Sequence, residues 1–229
     1  MTRALVAANV VVAVFTPLSG CGAFLAYLEW GLVPAGLFGT DQVSVPGCGV
    51  GEVAGITGLF THMFVHAGIM HLLGNMVYLW VFGDNVEDRL GHGRFLALYI
   101  AGGLVAGAAQ TVLNLGTAVP LVGASGAVAA VLGAYLITYP THSVATLLTF
   151  PMSLLAFLLR SRWNIILVAV VELPAWIVLG GWVWLQFRGY ATPGGDGVAY
   201  AAHIGGFAAG VVLLFRLRKG VPRPFDARA

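Results

Sequence analysis

Leu121-Val122-Gly123-Ala124-Ser125-Gly126-Ala127-Val128-Ala129-Ala130-Val131-Leu132-Gly133-Ala134-Tyr135-Leu136-Ile137-Thr138-Tyr139 contains no charged residue. A membrane-crossing helix needs about 20 mostly apolar residues, and this stretch has that length. It also opens with small residues around one serine. Two properties coincide here: the length of a lipid-spanning helix and a hydroxyl at its start.

The whole chain follows suit. It has 229 residues, 59% of them hydrophobic and 9% charged, with a mean hydropathy of +0.91. A water-soluble domain carries about 25% charged residues, so most of this surface is expected to face lipid. The 32 glycines are about twice the usual share of roughly 7% and let helix backbones approach closely in lipid. A net charge of +2 gives no support to nucleic-acid binding.

Five further apolar runs join 121–139: roughly 4–28, 69–83 (extendable to 86), 95–114, 165–187 and 198–215. Segment 144–159, interrupted by Pro151, is too short to span and is expected as an interfacial connection. The expected fold is all-α: a polytopic, six-transmembrane-helix bundle forming one domain over 1–229. An outer, Gly-rich loop over 29–68 joins spans one and two, with an element lying partly in the interface. Six spans put both termini on one side. If that side is cytoplasmic, the inside holds ten basic residues: Arg3, Arg89, Arg94, Arg160, Arg162, Arg216, Arg218, Lys219, Arg223 and Arg228. The outside holds only Arg188. That asymmetry obeys the positive-inside rule. Trp30, Trp182 and Trp184 near outer ends, and Trp163 near an inner end, fit aromatic belts. A multi-pass protein of a bacterial plasma membrane, both termini cytoplasmic, is the expectation. Leu18-Ser19-Gly20-Cys21 resembles a lipoprotein cleavage box, but the chain stays apolar after it, so a retained first span is expected. Cys21 falls inside that apolar run, which speaks against a disulfide with Cys48, the second cysteine.

Polar groups inside membrane spans are expensive and read as functional by default. Span two carries His71 and Asn75, span four opens with Gly123-Ala124-Ser125-Gly126, and span six carries His203. All three spans run from outside to inside. Thirteen residues separate His71 from Asp84, fourteen separate Ser125 from Tyr139, and thirteen separate His203 from Arg216. At the rise of an α-helix these distances are all about 20 Å, so the three groups are expected at one level in the outer half of the membrane. Asn75 shares a face with His71, one turn deeper. A serine becomes a nucleophile when a base takes its proton, and histidine is the usual base. The oxyanion that follows needs hydrogen-bond donors. A helix start supplies free N–H groups, and His71 and Asn75 can add side-chain donors. No carboxylate lies at this depth, so a dyad is expected rather than a triad.

Each element has a plainer explanation. A serine in a span usually bonds a carbonyl one turn back. Gly206-xxx-Gly210 and Gly103-xxx-Gly107 are patterns of helix packing. His62 and His66 have the spacing of metal ligands, but with no carboxylate or cysteine nearby they point to packing or loop hydrogen bonds, and no metal or cofactor is expected. The coincidence of three depths favours the enzyme.

Over residues 57–215 the chain resembles the rhomboid family. Thr61-His62-Met63-Phe64-Val65-His66-Ala67-Gly68, with His71 and Asn75, resembles the family's histidine-rich loop leading into its second span. Gly123-Ala124-Ser125-Gly126 is similar to its Gly-x-Ser-Gly motif, and Ala202-His203-Ile204-Gly205-Gly206 with Gly210 to its sixth span. Pro174-Ala175-Trp176 also looks familial. The resemblance implies an intramembrane serine protease with Ser125 as nucleophile and His203 as base. His71, Asn75 and the Ser125 amide would form the oxyanion hole, and Glu87 and Arg89 a structural pair. Implied partners are transmembrane protein substrates and the lipid bilayer; the oligomeric state stays open. The family's Trp-Arg pair is replaced by Thr57 and Gly58, which implies a different anchoring of the outer loop. The aromatic that often follows the serine by four residues is Ala129 here, so His203 is held either less firmly or by another ring.

Two other functions compete. An inactive scaffold of the same family would bind membrane clients without cutting them, but such proteins lack the serine or the histidine. A transporter using His62, His66 and His71 as a proton or metal path predicts internal repeats, and the sequence contains none.

Overall fold

The computed structural model describes residues 1–151, 166–192 and 197–218. Within them the order is α1 (Thr2–Phe15), α2 (Gly20–Trp30), a 3-10 turn (Pro34–Phe38), β1 (Gln42–Val45), β2 (Gly49–Glu52), α3 (Gly58–Thr61), α4 (Ile69–Leu90), α5 (His92–Leu113), α6 (Ser125–Thr138), β3 (Ser143–Pro151), β4 (Ile166–Pro174), α7 (Ala175–Ala191) and α8 (Tyr200–Leu217). Most of this is helix. α5 and α8 are each long and apolar enough to cross a membrane, and α1 and α6 are shorter apolar helices. The outward faces are apolar too: α4 exposes Ile69, Met70, Leu73, Val77, Trp80 and Val81. Water would demand charges on such a surface; lipid does not.

The core is built around α6. Every residue from Gly126 to Tyr135 is buried, the fate of a helix that is apolar all round. α4, α5 and α8 pack against it. The contact with α8 leaves no room for side chains. A Cβ on Gly206 would stand 2.2 Å from the Gly126 carbonyl oxygen, and one on Gly210 would stand 1.9 Å from that of Ala130. The two helices therefore run side by side in the same direction, Gly126 facing Gly206 and Ala130 facing Gly210. The pattern Gly206-xxx-Gly210 is helix packing, as expected. Gly103-xxx-Gly107 is put to another use: Cβ atoms there would collide first with Met63 and with Leu32, side chains of the outer loop.

Four expectations are corrected. The span over 4–28 is two helices, broken at Pro17. Proline has no N–H to continue the helix and pushes the residue before it into extended backbone; Thr16 has φ −100° and ψ 127°. The all-α fold gains two antiparallel hairpins, one pairing Gln42 through Val45 with Glu52 through Gly49. The other pairs Ser143 through Pro151 with Pro174 through Ile166. The expected fifth span over 165–187 thus begins as a strand, and its helix starts at Ala175 after Pro174. The segment Ile166-Leu167-Val168-Ala169-Val170-Val171 is rich in β-branched residues, which favour strands; proline then suits the start of a helix. The first part of the expected interfacial connection is strand β3, and its remainder, 152–159, lies outside the described residues. Arg160, Arg162, Trp163, Lys219, Arg223 and Arg228 lie outside them as well. Finally, Cys21 and Cys48 form a disulfide with Cα atoms 5.3 Å apart. The break at Pro17 puts Cys21 in the first turn of α2 rather than mid-span.

The outer loop is folded onto the helices. Leu32 and Leu121 exchange two backbone hydrogen bonds of 2.9 and 2.8 Å, and the Thr61 hydroxyl donates to the Trp30 carbonyl at 2.6 Å. With the disulfide, these contacts hold the loop where Thr57 and Gly58 replace the Trp-Arg pair. At the far end of α4, the Glu87 carboxylate accepts from the Thr2 N–H at 2.6 Å and contacts the Met1 amino group and the His92 ring. Glu87 thereby fastens α1 and α5 to the end of α4.

Candidate active site

Ser125 is the first residue of α6 and is half-buried. The chain reaches it through Gly123, whose φ of +116° favours glycine. The outer loop holds this approach in place. The Gly123 N–H donates to the His62 carbonyl at 2.8 Å, and the Ala124 N–H donates to His66 Nε2 at 3.3 Å. Burial first, and the neighbouring His71 second, push the His66 pKa down to about 4, against its hydrogen bond to the Phe64 carbonyl. The ring is therefore neutral and free to accept from Ala124. His62 donates from Nδ1 to the Gly58 carbonyl at 2.9 Å, and burial lowers its pKa too. Both histidines are thus tied to backbone groups, the plainer of the two expectations for them.

His71 stands in the first turn of α4 with its ring over Gly123. A Cβ at Gly123 would lie 2.6 Å from His71 Cε1 and 2.7 Å from Nε2, and 3.6 Å from Asn75 Nδ2. Glycine is needed there because the imidazole occupies the space. The backbone N–H of Ala67 donates to His71 Nδ1 at 3.3 Å. In a neutral ring the proton then sits on Nε2, which is the edge turned to Gly123. One turn deeper, Asn75 is buried at 7% exposure, and its amide nitrogen has no hydrogen-bond partner among the described residues. A buried donor without an acceptor costs about 1–3 kcal/mol.

His203 belongs to the first turn of α8. The pairing of Gly126 with Gly206, and an Ala202 carbonyl oxygen 3.8 Å from a Cβ built on Gly126, put Ser125 and His203 at one level on facing helices. Among the described residues the Ser125 side chain makes no hydrogen bond. Hydroxyls elsewhere in and beside helices divide: that of Thr111 is likewise without a partner, while others bond the backbone. Thr16, Thr61, Thr138 and Thr192 each bond a carbonyl four residues back; Ser125 does not. Glu87 and Arg89 lie at the opposite end of α4, away from this cluster.

Three residues next to His203 are not among the site residues expected from the sequence. Gln186 Oε1 lies 2.8 Å from His203 Nδ1. The Trp182 ring stands 5.8 Å from the His203 ring between centroids and supplies the aromatic neighbour that Ala129 cannot. Gln110 accepts from the Ala202 N–H at 3.3 Å. The first two do leave a signal in the sequence: an uncharged amide four residues after a tryptophan, one helical turn apart on a single face.

Residues 54–220 match the profile of the family described as Rhomboid domain. The Rhomboid protease GlpG of Pectobacterium atrosepticum is 30% identical over 68% of this chain and 46% of its own length. Rhomboid protein 1, mitochondrial, of Saccharomyces cerevisiae is 31% identical over 72% of this chain and 43% of its own length. The Rhomboid protease GluP of Bacillus subtilis is 42% identical over 34% of this chain and 15% of its own length. The matched stretch spans less than half the length of each of these relatives.

Proposed function

The chain belongs to the rhomboid family, and from that premise we propose that it is an intramembrane serine endopeptidase that cuts transmembrane proteins with Ser125 and His203. One observation carries the reading furthest. The Nε2–H of His71 and the unpartnered amide of Asn75 converge on Gly123, two residues before Ser125 in the chain. Donors without an acceptor, next to a nucleophile, suit an oxygen that becomes anionic only during reaction.

In this mechanism His203 takes the proton from Ser125 Oγ as the oxygen attacks the substrate carbonyl carbon. The carbonyl electron pair moves to the oxygen, where His71, Asn75 and the Ser125 amide receive it. The intermediate collapses, His203 delivers the proton to the leaving amine, and an acyl-enzyme remains. Water, deprotonated by His203, then releases the new carboxylate and regenerates Ser125. Six spans with both termini cytoplasmic put this chemistry in the outer half of the bilayer.

The substrate follows from the same physics. A helix in lipid bonds every carbonyl internally, so the attacked segment has to unwind. Unpaired backbone costs several kcal/mol per group in hydrocarbon, which favours cleavage near the wet outer side. The small residues Gly123, Ala124 and Gly126 leave a narrow site, suited to a small residue just before the cut. Helix breakers such as Gly and Pro ease unwinding.

The test is covalent labelling of purified protein by a fluorophosphonate, with cleavage of single-span substrates followed by mass spectrometry. Labelling at Ser125, lost in Ser125→Ala, and cuts after small residues in the outer half are expected. Full turnover by Ser125→Ala, or cuts in the cytoplasmic half, would overturn the proposal. A scaffold that only binds clients would resist the label altogether.

A further inference from the structure

The described residues near His203 include no carboxylate bonded to it, yet its ring is not left to turn freely. Gln186 on α7 is buried at 7% exposure and makes two hydrogen bonds in opposite directions. Its Nε2 donates to the Trp182 carbonyl, one turn back, at 3.1 Å. Its Oε1 faces His203 Nδ1 at 2.8 Å. The Trp182 carbonyl can only accept, so the amide nitrogen has to face it. That fixes the side-chain oxygen toward His203. An amide oxygen can also only accept, so His203 Nδ1 carries the hydrogen. A neutral imidazole protonated at Nδ1 leaves Nε2 with a free lone pair. That is the form required of a base that takes a serine proton.

We infer that Gln186 is a positioning residue for the reaction, setting the tautomer and direction of His203 through the hydrogen bond at Nδ1. This rests on the protease reading. The arrangement uses one helix twice. Trp182 supplies the carbonyl that orients Gln186 and the ring that stands by the face of His203. Unlike a carboxylate, an uncharged amide fixes the ring without bringing a second charge into a lipid-surrounded site, where an unpaired charge is costly. Gln186 and His203 also line one cavity of about 470 Å³ with Arg188, Thr192 and Tyr200, so α7 and α8 meet around this hydrogen bond.

Two measurements on the full-length protein in detergent decide it. The first is nitrogen NMR of protein labelled at its histidines, with the His203 signals assigned by their loss in His203→Gln. At a pH where the ring is neutral, His203 should carry its proton on Nδ1, and Gln186→Leu should abolish that preference. Gln186→Glu, which keeps an acceptor oxygen, should retain it. The second is kinetics: kcat of Gln186→Leu should fall roughly tenfold to a hundredfold, the usual scale for one lost hydrogen bond, with little change in KM, and Gln186→Glu should recover most of it. A wild-type ring protonated on Nε2 overturns the inference whatever becomes of the variants, as does a Gln186→Leu protein with an unchanged tautomer and unchanged kcat. If Gln186→Leu does not fold, Gln186→Met, which also lacks the amide oxygen, takes its place under the same criteria. Absence of fluorophosphonate labelling in the wild-type protein would instead sink the protease reading, while the tautomer still tests the contact between Gln186 and His203.

Discussion

α6 and α7 bring their residues to the same site by opposite means. α6 is buried along ten consecutive positions from Gly126 to Tyr135, and α8 is pressed against it through glycines. α7 buries only Ala175, Leu179 and Gln186 and exposes Trp176, Trp184, Leu185 and Phe187. The proposed nucleophile thus stands on the most enclosed helix, while the amide bonded to the proposed base stands on one of the most open. Packing fixes Ser125; a single hydrogen bond and a ring contact link α7 to His203. The core of the fold and the fine adjustment of the site are held by different forces.

The comparison can be broken most decisively at the site itself. Ser125→Ala and His203→Ala should each abolish cleavage while the fold stays intact, measured by turnover of a reconstituted substrate and by a cooperative thermal melt. Next in size, Asn75→Ala should lower turnover by roughly 10²–10³-fold, the cost of one oxyanion donor, with the substrate affinity little altered; an effect on affinity alone would remove Asn75 from the oxyanion hole.

The packing contrast has its own pair of variants. Gly210→Val forces a side chain into a space where even a Cβ would meet the Ala130 oxygen at 1.9 Å, and overpacking costs about 1–3 kcal/mol. Gly180→Ala on α7 adds a methyl with nothing within 4 Å and, by relieving glycine's flexibility, should raise stability by up to about 1 kcal/mol. Equal melting shifts in the two proteins would erase the distinction drawn between the helices. The smallest expected change comes from Glu87→Ala, which should lower melting by releasing Thr2 and His92 yet leave turnover close to normal. A collapse of catalysis at unchanged melting would refute its structural role.

Much of this is legible in the sequence because lipid imposes simple rules. The apolar runs locate α4, α5, α6 and α8, and counting residues along helices sets His71, Ser125 and His203 at one expected level. What is not legible has identifiable reasons. Hydropathy cannot separate a strand from a helix in a short apolar run, so 166–174 merges into a span. It also does not register a break within an apolar run, so the stop at Pro17 goes unmarked and Cys21 looks as if it stood mid-span. Gln186 shows in the sequence only as an amide one turn after Trp182; its partner His203 lies across a helix pair, and only the folded chain reveals which ring that amide faces. Ala129 announces the need for a substitute ring but cannot point to Trp182.

The bond between Cys21 and Cys48 works as a compass. Such bonds persist in oxidising compartments and are rare where thiols are kept reduced. Were the segment holding Cys48 to face the reducing side, both sulfurs would react with a maleimide and shift the protein's mass; facing the other way, neither reacts until a reductant is added. That readout fixes which way the molecule points without appeal to a single arginine.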